Sequence, residues 1–210
     1  FTIHNVDAHE KPKSYRLASR LLFKLGDHFV VHSRSNRDCL IEKYGIASER
    51  ISQIPHGPLD LHVEKEGDRT KVMSEFGLQP ENKVLLIYGA IRPYKGIDTA
   101  IRAFAEVIKA LPESRLLIAG KLWENWERYK HLINELGIRS FLSAHLDYVP
   151  SGEVHKYFTA ADLVLLPYVR FEAQSGVGAT ALSFRKPMIV TKTGGLPELV
   201  LDSRYVVPPG

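Results

Sequence analysis

Short, uninterrupted apolar runs alternate with segments of helical periodicity along most of this chain, and few folds accommodate that alternation. Residues 83–88 (KVLLIY) and 163–167 (LVLLP) are typical apolar runs, and residues 97–111 carry apolar side chains at helical spacing. Apolar runs without polar alternation indicate strands that are buried on both faces. Strands that alternate with helices indicate a parallel sheet with right-handed crossovers. The sequence therefore predicts an α/β fold with a doubly wound parallel sheet that begins near residue 70.

A polar stretch separates this predicted sheet from an earlier α/β segment. Residues 57–70 (GPLDLHVEKEGDRT) show no periodicity, which is typical of a linker. We therefore divide the chain into residues 1–65, the end of one α/β unit with its linker, and residues 66–210, a second unit. Because the chain opens on Phe1 and stops at Gly210 after two prolines, we interpret it as a piece of a longer protein that is truncated at its C-terminus.

The composition excludes several classes of protein. The 210 residues carry 28 Lys and Arg against 24 Asp and Glu, and the formal net charge of +4 is spread along the chain. Nucleic-acid binding needs a concentrated cationic face, so no nucleic-acid partner is predicted, and no apolar run approaches the roughly 20 residues of a membrane-spanning helix. The single cysteine, Cys39, fits a reducing compartment. We expect a cytoplasmic location, with a peripheral contact at the inner face of the membrane left open.

In doubly wound sheets, ligands bind beyond the carboxyl ends of the strands, so the loops at that edge carry the candidate site. The first of these loops reads Gly89-Ala90-Ile91-Arg92-Pro93-Tyr94-Lys95-Gly96. It lacks both the Gly-Lys-Ser/Thr of a P-loop and the Gly-x-Gly-x-x-Gly of dinucleotide sites. Arg92 and Lys95 precede a predicted helix, and two cations together with helix amides suit a diphosphate. The alternative is an ordinary turn with solvated charges.

A second loop, residues 167–178, is longer than the roughly 2–6 residues usual between a strand and a helix. Its small residues leave backbone amides uncovered at the start of the next helix, which predicts another anion site. Glu172 is a candidate to hold a sugar hydroxyl or to balance a developing cation, and otherwise it is a solvated acid. The Gln174-Ser175-Gly176 segment is not a nucleophile elbow, because Ala173 stands where that motif needs glycine.

Further segments follow a recognisable pattern around these loops. They are Thr2-Ile3-His4-Asn5-Val6, Val30-Val31-His32-Ser33, Ile54-Pro55-His56-Gly57, Lys186-Pro187-Met188-Ile189-Val190-Thr191 and Gly194-Gly195-Leu196-Pro197-Glu198. With the loop at residues 89–96 and the run at residues 161–167, they resemble family 4 of the glycosyltransferases (glycosyl transferases group 1), which have the GT-B fold. The resemblance implies a Rossmann-like donor-binding half, preceded by the end of the acceptor-side domain. It also implies a retaining enzyme that uses a nucleotide-diphosphate sugar.

The resemblance assigns a diphosphate site to the first loop and backbone donors to the second. The implied diphosphate ligands are Gly89, Arg92 and Lys95, and the implied amides that face the sugar and phosphate are those of Ser175, Gly176 and Val177. One departure from the family pattern is that its common Gly-Arg pair reads Gly89-Ala90 here, with Arg92 two residues later.

The resemblance also implies catalytic and nucleoside-binding residues. Glu172 falls on the first Glu of the family's E-x7-E motif, near the donor sugar, and His4 would reach that sugar from across the cleft. Thr180 takes the place of the second Glu, usually a ribose ligand, and a hydroxyl is a weaker partner than a carboxylate. We predict the base pocket around Tyr148 and Val149, where nothing distinguishes UDP from GDP.

The resulting hypothesis is a hexosyltransferase-type enzyme that moves a sugar to an acceptor hydroxyl with retention of anomeric configuration. The acceptor is a sugar, a lipid-linked molecule or a small molecule. We expect no metal and no cofactor, because two cations and helix dipoles meet the leaving diphosphate and no Asp-x-Asp motif is present. Since most acceptor contacts lie outside this chain, we expect the chain to be inactive alone.

Three alternatives remain open at this point. One is a non-catalytic module that binds nucleotide sugars, which Thr180 favours slightly; the others are a GT-B epimerase acting on the donor alone and a plain interaction domain. His28 and His32 lie four apart but are predicted to be strand histidines rather than metal ligands. Trp123, Trp126 and Tyr129 form a stripe at helical spacing, which is expected to pack on the sheet. The oligomeric state is not predicted.

Overall fold

The computed structural model describes residues 1–4, 6, 13–57 and 68–210 of the chain. These residues form two separate parallel sheets, each with helices packed against it. The predicted boundary between residues 65 and 66 lies outside the described residues, so the proposed domain division stays a prediction. None of the described helices is both long enough and apolar enough to cross a bilayer.

The first sheet is small and entirely parallel. Its strands are β1 (Thr2–Ile3), β2 (Phe29–Val31) and β3 (Ile51–Gln53), in the order β1-β2-β3. Helix α1 (Lys13–Leu25) connects the first two strands, and α2 (Arg34–Tyr44) connects the last two. Because every strand runs in the same direction, the residues that follow the three strands emerge at one edge of the sheet.

Helix α2 begins after a serine cap. The Ser33 hydroxyl accepts a hydrogen bond from the Asn36 amide, and the helix ends at Gly45, whose φ of 66° lies in the left-handed region that favours glycine. Buried Leu40 joins the apolar residues of the strands to form the small core of this unit. This core fixes the position of the sheet edge that carries the histidines described below.

The second sheet has six parallel strands in the order β6-β5-β4-β7-β8-β9. The strands are β4 (Lys83–Tyr88), β5 (Ser114–Ala119), β6 (Leu142–His145), β7 (Leu163–Leu166), β8 (Met188–Thr191) and β9 (Val206–Val207). The reversal of strand order between β4 and β7 defines a doubly wound sheet, as predicted. The predicted α/β fold is therefore confirmed.

Helices cover both faces of this sheet. One core packs beneath α4 (Ile97–Ala110) and α5 (Glu127–Glu135), and a second core packs beneath the remaining helices. Those helices are α3 (Arg69–Glu75), α6 (Val154–Ala160) and α7 (Gly176–Ser183). Buried contacts on both faces explain why the strands read as continuous apolar runs.

The prediction that three aromatic side chains form one stripe along a helix is wrong in part. The Asn125 side-chain oxygen accepts a hydrogen bond from the Glu127 amide and starts the helix there, so Trp123 lies in the preceding loop. Trp126 and Tyr129 are buried on the sheet as expected, whereas Trp123 is 57% exposed. Burial also raises the pKa of Tyr129 well above its usual range. The Trp123 side chain is therefore exposed among the loops at the carboxyl edge of the sheet.

Candidate functional site

The loops that follow β4 and β7 are packed together at the carboxyl edge of the six-stranded sheet. Gly96 has a φ of 63°, and a Cβ at this position would lie 2.0 Å from the Pro167 carbonyl oxygen. The Val169 amide donates a hydrogen bond to the Tyr94 carbonyl at 2.8 Å. Only glycine permits this approach, so the two loops hold a fixed mutual position.

The loop that follows β8 packs against the loop that follows β7. Gly194 has a φ of 49°, and a Cβ there would lie 2.4 Å from the Phe171 carbonyl oxygen. The Gly195 amide donates to the Ala173 carbonyl at 3.2 Å. Gly194 and Gly195 therefore allow this loop to pack closely against the segment that carries Glu172.

Lys95 lies beneath these loops with its charge buried. Its side chain is only 3% exposed, and its ammonium donates to the Tyr88 carbonyl at 3.0 Å. The ammonium also lies 4.8 Å from the centre of the Tyr168 ring. Among the described residues, no carboxylate forms an ion pair with it. Because an unpaired buried charge is costly, this arrangement favours an anionic ligand.

Gly89 brings Lys95 to the start of helix α7. It has a φ of 93°, and a Cβ there would lie 3.1 Å from Lys95 Nζ and 3.1 Å from Val177 Cγ2. The Ser175 hydroxyl caps α7 by accepting from the Gly178 amide at 3.3 Å. The first amides of a helix, here those of Gly176 and Val177, have no acceptor within the helix. The Lys95 ammonium and the N-terminus of α7 therefore lie on either side of the small space left by the missing side chain of Gly89.

Arg92 lies at the outer rim of the same loop. Its guanidinium carbon is 4.7 Å from the centre of the Trp123 ring, and Lys121 Nζ is 5.1 Å from that ring. Cations over an aromatic face are attracted by its quadrupole, so the ring holds two positive charges at the edge. Lys121 was not named from the sequence, and Trp123 was placed on a helix packed against the sheet, whereas both lie in the loop after β5. Their position after a parallel strand is the signal that could have identified them.

The structure places Glu172 and Thr180 in different environments. Glu172 is half-buried and lines a cavity of about 610 Å³ that also borders α2, Gly194 and Glu198. Thr180 is only 4% exposed, and its hydroxyl donates to the Gly176 carbonyl at 2.9 Å. Glu172 therefore faces the space between the two sheets, whereas the Thr180 hydroxyl already bonds within α7.

The residues predicted for the base pocket flank an aromatic cluster. Tyr148 is 70% exposed, and Val149 packs against the core of the six-stranded sheet. Burial raises the pKa of Tyr88 to about 12, with smaller contributions from Tyr157 and Tyr148. These residues surround the ends of β4 and β6. The structure therefore provides a partly apolar, aromatic rim beside the buried lysine.

His4 lies on the facing sheet, in a group of three histidines. The ring of His4 is 4.8 Å from that of His32, and the ring of His32 is 4.9 Å from that of His56. The His56 backbone amide donates to the Gln174 side-chain oxygen, which links this group to the loop that carries Glu172. His28 instead pairs with Ser52 and is separate from the group. The histidine group therefore touches the Glu172 loop through His56.

Glu198 joins the two units directly. Its Oε1 accepts from the Arg34 amide at the start of α2 at 2.8 Å, and its Oε2 accepts from Gln53 Nε2 at 3.0 Å. Ser33 packs beside this contact, 2.7 Å from the Cβ position of Gly195. Sequence reasoning had quoted Glu198 only as part of a motif. Its bonding role depends on a contact across 164 residues, which no local pattern reveals.

Solved structures resemble this chain over its whole length. Anabaena HepE, solved in complex with UDP and glucose, matches with a TM-score of 0.83 at 22% identity, over all of this chain and 58% of that one. WaaG, a glycosyltransferase involved in lipopolysaccharide biosynthesis, matches with a TM-score of 0.75 at 22% identity, over 99% of this chain and 60% of that one. At this identity the likeness shows the fold, that of GT-B glycosyltransferases, as predicted.

Sequence relatives point to the same group. The D-inositol 3-phosphate glycosyltransferase of Segniliparus rotundus is 30% identical over 179 residues, which is 84% of this chain and 39% of the relative. That of Nocardia farcinica is 30% identical over 198 residues, 91% of this chain and 43% of the relative. The chain thus spans about two fifths of the length of these relatives. The family described as "Glycosyl transferases group 1" matches residues 68–210. The chain belongs to the glycosyl transferases group 1 family.

Proposed function

We propose that this chain carries the donor site of a hexosyltransferase that moves a sugar from a nucleotide-diphosphate sugar to an acceptor hydroxyl with retention. The observation that carries the proposal is the buried ammonium of Lys95, which has no ion-pair partner among the described residues and lies beside the N-terminus of α7. A diphosphate supplies the missing negative charge. The complexes of Anabaena HepE with UDP and with UDP-glucose support this donor class.

Charge separation during transfer explains the arrangement of the groups. Breaking the sugar–phosphate bond develops negative charge on the diphosphate and positive character on the ring. Lys95, Arg92 and the first amides of α7 stabilise the leaving diphosphate, in a site where prearranged donors act strongly. Because these groups meet the charge, we propose that donor binding needs neither a metal nor a cofactor. Gly89 admits the phosphate because it carries no side chain.

On the opposite side of the donor, Glu172 and His4 act on the sugar. Glu172 borders the cavity between the sheets and orients the ring, with its carboxylate available to the developing positive charge. His4 approaches from the smaller sheet, and its reach to the sugar requires closure of the cleft. Tyr148 and Val149 flank the base, and Thr180 contacts the ribose only if its internal hydrogen bond opens.

A second candidate function is a non-catalytic module that binds nucleotide sugars. The observation that favours it is Thr180, because a buried hydroxyl that already bonds to the Gly176 carbonyl is a poor substitute for a carboxylate. This module would bind the donor without turnover in a longer chain. Assay of a longer chain for release of free nucleoside diphosphate in the presence of acceptors separates the two functions.

Titration calorimetry tests the donor site. We expect UDP or GDP to bind, and the Arg92→Ala variant to bind it more than about tenfold more weakly, a loss of about 1.4 kcal/mol. Arg102→Ala is the matched control, since Arg102 is an exposed arginine on α4. Unchanged diphosphate affinity in Arg92→Ala would remove Arg92 from the site. ADP is included so that the base preference is also measured.

A peripheral membrane contact, together with a cytoplasmic location, is the remaining part of the proposal. On α1, Leu21, Leu22 and Leu25 are exposed to 58%, 49% and 76%, and Arg20 and Lys24 lie beside them. Exposed leucines next to cations suit the headgroup region of an anionic membrane. We expect the protein to sediment with phosphatidylglycerol vesicles but not with phosphatidylcholine vesicles. Equal recovery with both would contradict an electrostatic contact.

A further inference from the structure

Three histidines from distant parts of the chain meet at the carboxyl edge of the smaller sheet. His4 follows β1, His32 follows β2, and His56 lies three residues after β3. The strand register pairs Ile3 with Val31 and Val31 with Gln53, so the segments that leave the strands are adjacent. One nitrogen of each ring lies within 4.8 Å of one from each of the others. The topology therefore builds a cluster of imidazoles that no local spacing would show.

We propose that His4, His32 and His56 bind one divalent transition-metal ion of the Zn²⁺ class. Neutral imidazole nitrogen is a preferred ligand for Zn²⁺, Co²⁺, Ni²⁺ and Cu²⁺, whereas Mg²⁺ and Ca²⁺ select oxygen ligands. Three protein ligands leave a fourth position open to water or another ligand. The site does not involve Lys95, but it includes His4, so an ion bound there would hold the His4 ring away from the donor sugar.

The hydrogen bond made by His32 orients its ring for this role. Its Nδ1 lies 2.9 Å from the Ile54 carbonyl oxygen, which only accepts, so Nδ1 carries the proton. Nε2 of the neutral ring therefore presents a lone pair. That nitrogen is buried and has no hydrogen-bond partner among the described residues. A metal-bound histidine commonly donates its other N–H to a backbone carbonyl, which fixes the tautomer and the ring orientation.

The other two rings are available to complete the set. Within the described part of the chain, neither the His4 ring nor the His56 ring makes a hydrogen bond, although the backbones of both residues are held. The Asn36 side chain donates to the His4 carbonyl at 3.3 Å, and the His56 amide donates to Gln174. Fixed backbones with free rings leave the imidazoles in place and able to turn toward a shared ion.

The spacing is within reach of metal coordination. Zn–N bonds of about 2.0–2.1 Å in tetrahedral geometry place the ligand nitrogens about 3.3 Å apart. The widest separation, 4.8 Å, must therefore shrink by about 1.5 Å. His4 is exposed, so rotation of its side chain supplies this movement without disturbing the core.

Cobalt titration of the tag-free, metal-free protein tests the site. We expect saturable binding of Co²⁺ at one ion per chain, with the visible absorption of a low-coordinate complex, and displacement of that signal by Zn²⁺. Mg²⁺ should leave the signal unchanged. The His32→Gln and His56→Gln variants should each weaken Co²⁺ binding more than about tenfold. His131→Gln, which changes an exposed histidine on α5, is the matched control and should bind as the parent does.

Two results would overturn the proposal. One is the absence of saturable Co²⁺ and Zn²⁺ binding, and the other is parental affinity in both His32→Gln and His56→Gln. Circular dichroism establishes that each variant is folded before its titration is interpreted. If partly buried His32 does not tolerate substitution, His4→Gln serves in its place, because an exposed side chain can be changed without loss of the fold.

Discussion

Replacing Lys95 by methionine separates the two roles that a buried lysine can have. The Lys95→Met variant keeps a long unbranched side chain in the space between Tyr88 and Tyr168 but removes the charge. If Lys95 is retained for its ligand, the substitution weakens diphosphate binding and leaves the unliganded protein at least as stable. If Lys95 is retained for packing and its internal bonds, the substitution lowers stability and leaves binding unchanged.

The contacts of Lys95 set the size of both effects. A hydrogen bond from a charged donor contributes about 1.5–3 kcal/mol, so the loss of the ammonium should weaken UDP or GDP binding about 10- to 150-fold. In the unliganded protein, the variant loses the bond to the Tyr88 carbonyl and an attraction to Tyr168 of up to about 2 kcal/mol. Removing a buried charge recovers several kcal/mol. We expect a net gain of about 1 kcal/mol, or about 2–4 °C in Tm.

Two measurements on the same preparations check this expectation. Calorimetric titration gives the diphosphate affinity, and thermal unfolding without nucleotide gives the Tm. Lys109→Met is the matched control, because Lys109 is an exposed lysine on α4 that pairs only with Glu106 among the described residues. A Tm several degrees below the parent in Lys95→Met, with parental affinity for both nucleotides, would show that Lys95 serves packing and not a ligand.

Three further substitutions test the fold around the site. Gly178→Ala should lower the free energy of unfolding by about 1 kcal/mol, because the added Cβ would lie 2.3 Å from Cδ1 of buried Leu199, and displacing that side chain outweighs the better helix propensity of alanine. Glu198→Gln should lower the free energy of unfolding by about 1 kcal/mol, because the carboxylate at the start of α2 interacts favourably with the helix dipole. Urea unfolding measures this loss, which should be smaller at high salt. Burial lowers the pKa of His145 below its usual value of 6.5, so on acidification the imidazole is protonated in the unfolded chain before it is protonated in the folded one. The free energy of unfolding should therefore fall as the pH drops below about 6.5, and His145→Gln should make this fall shallower.

Matched controls distinguish these effects from general damage. Gly152→Ala adds a methyl group where nothing lies within 4 Å, so it should leave the free energy of unfolding unchanged. Glu81→Gln removes an exposed carboxylate on another loop, and His131→Gln removes an exposed histidine. A stability loss in Gly152→Ala equal to that in Gly178→Ala would contradict the packing argument. A pH profile of His145→Gln that matches the parent would contradict the assignment of the pH effect to His145.

Periodicity predicted most of the large sheet but not its short elements. Strand β4 is visible because six consecutive residues are apolar apart from Lys83 and the Tyr88 hydroxyl. Strands β6 and β9 were missed, since β6 includes polar Ser143 and His145 and β9 has only two residues. Helix α3 was missed, and its first two residues were assigned to the linker, because seven residues give too few turns for a period. The Asp68 cap, which accepts from the Thr70 amide, was the available signal.

The candidate site was likewise predictable only where its residues lie close together in the sequence. Arg92 and Lys95 share one loop, so their sequence spacing was enough to group them. His4, His32 and His56 are grouped only by the order and register of three parallel strands, which the sequence does not state. His28 and His32 flank strand β2, where four residues span about 13 Å, so their helical spacing does not bring them together, and His28 bonds to Ser52 instead.

The glycine contacts between the loops limit how this site can be redesigned. Gly96 fits against the Pro167 carbonyl and Gly194 against the Phe171 carbonyl, so each loop shapes the surface on which its neighbour rests. Exchanging one loop with that of a homologue would leave its partners shaped for the original backbone. Replacing these loops in an engineered variant therefore requires the segments around residues 89–96, 167–178 and 191–198 to be exchanged together.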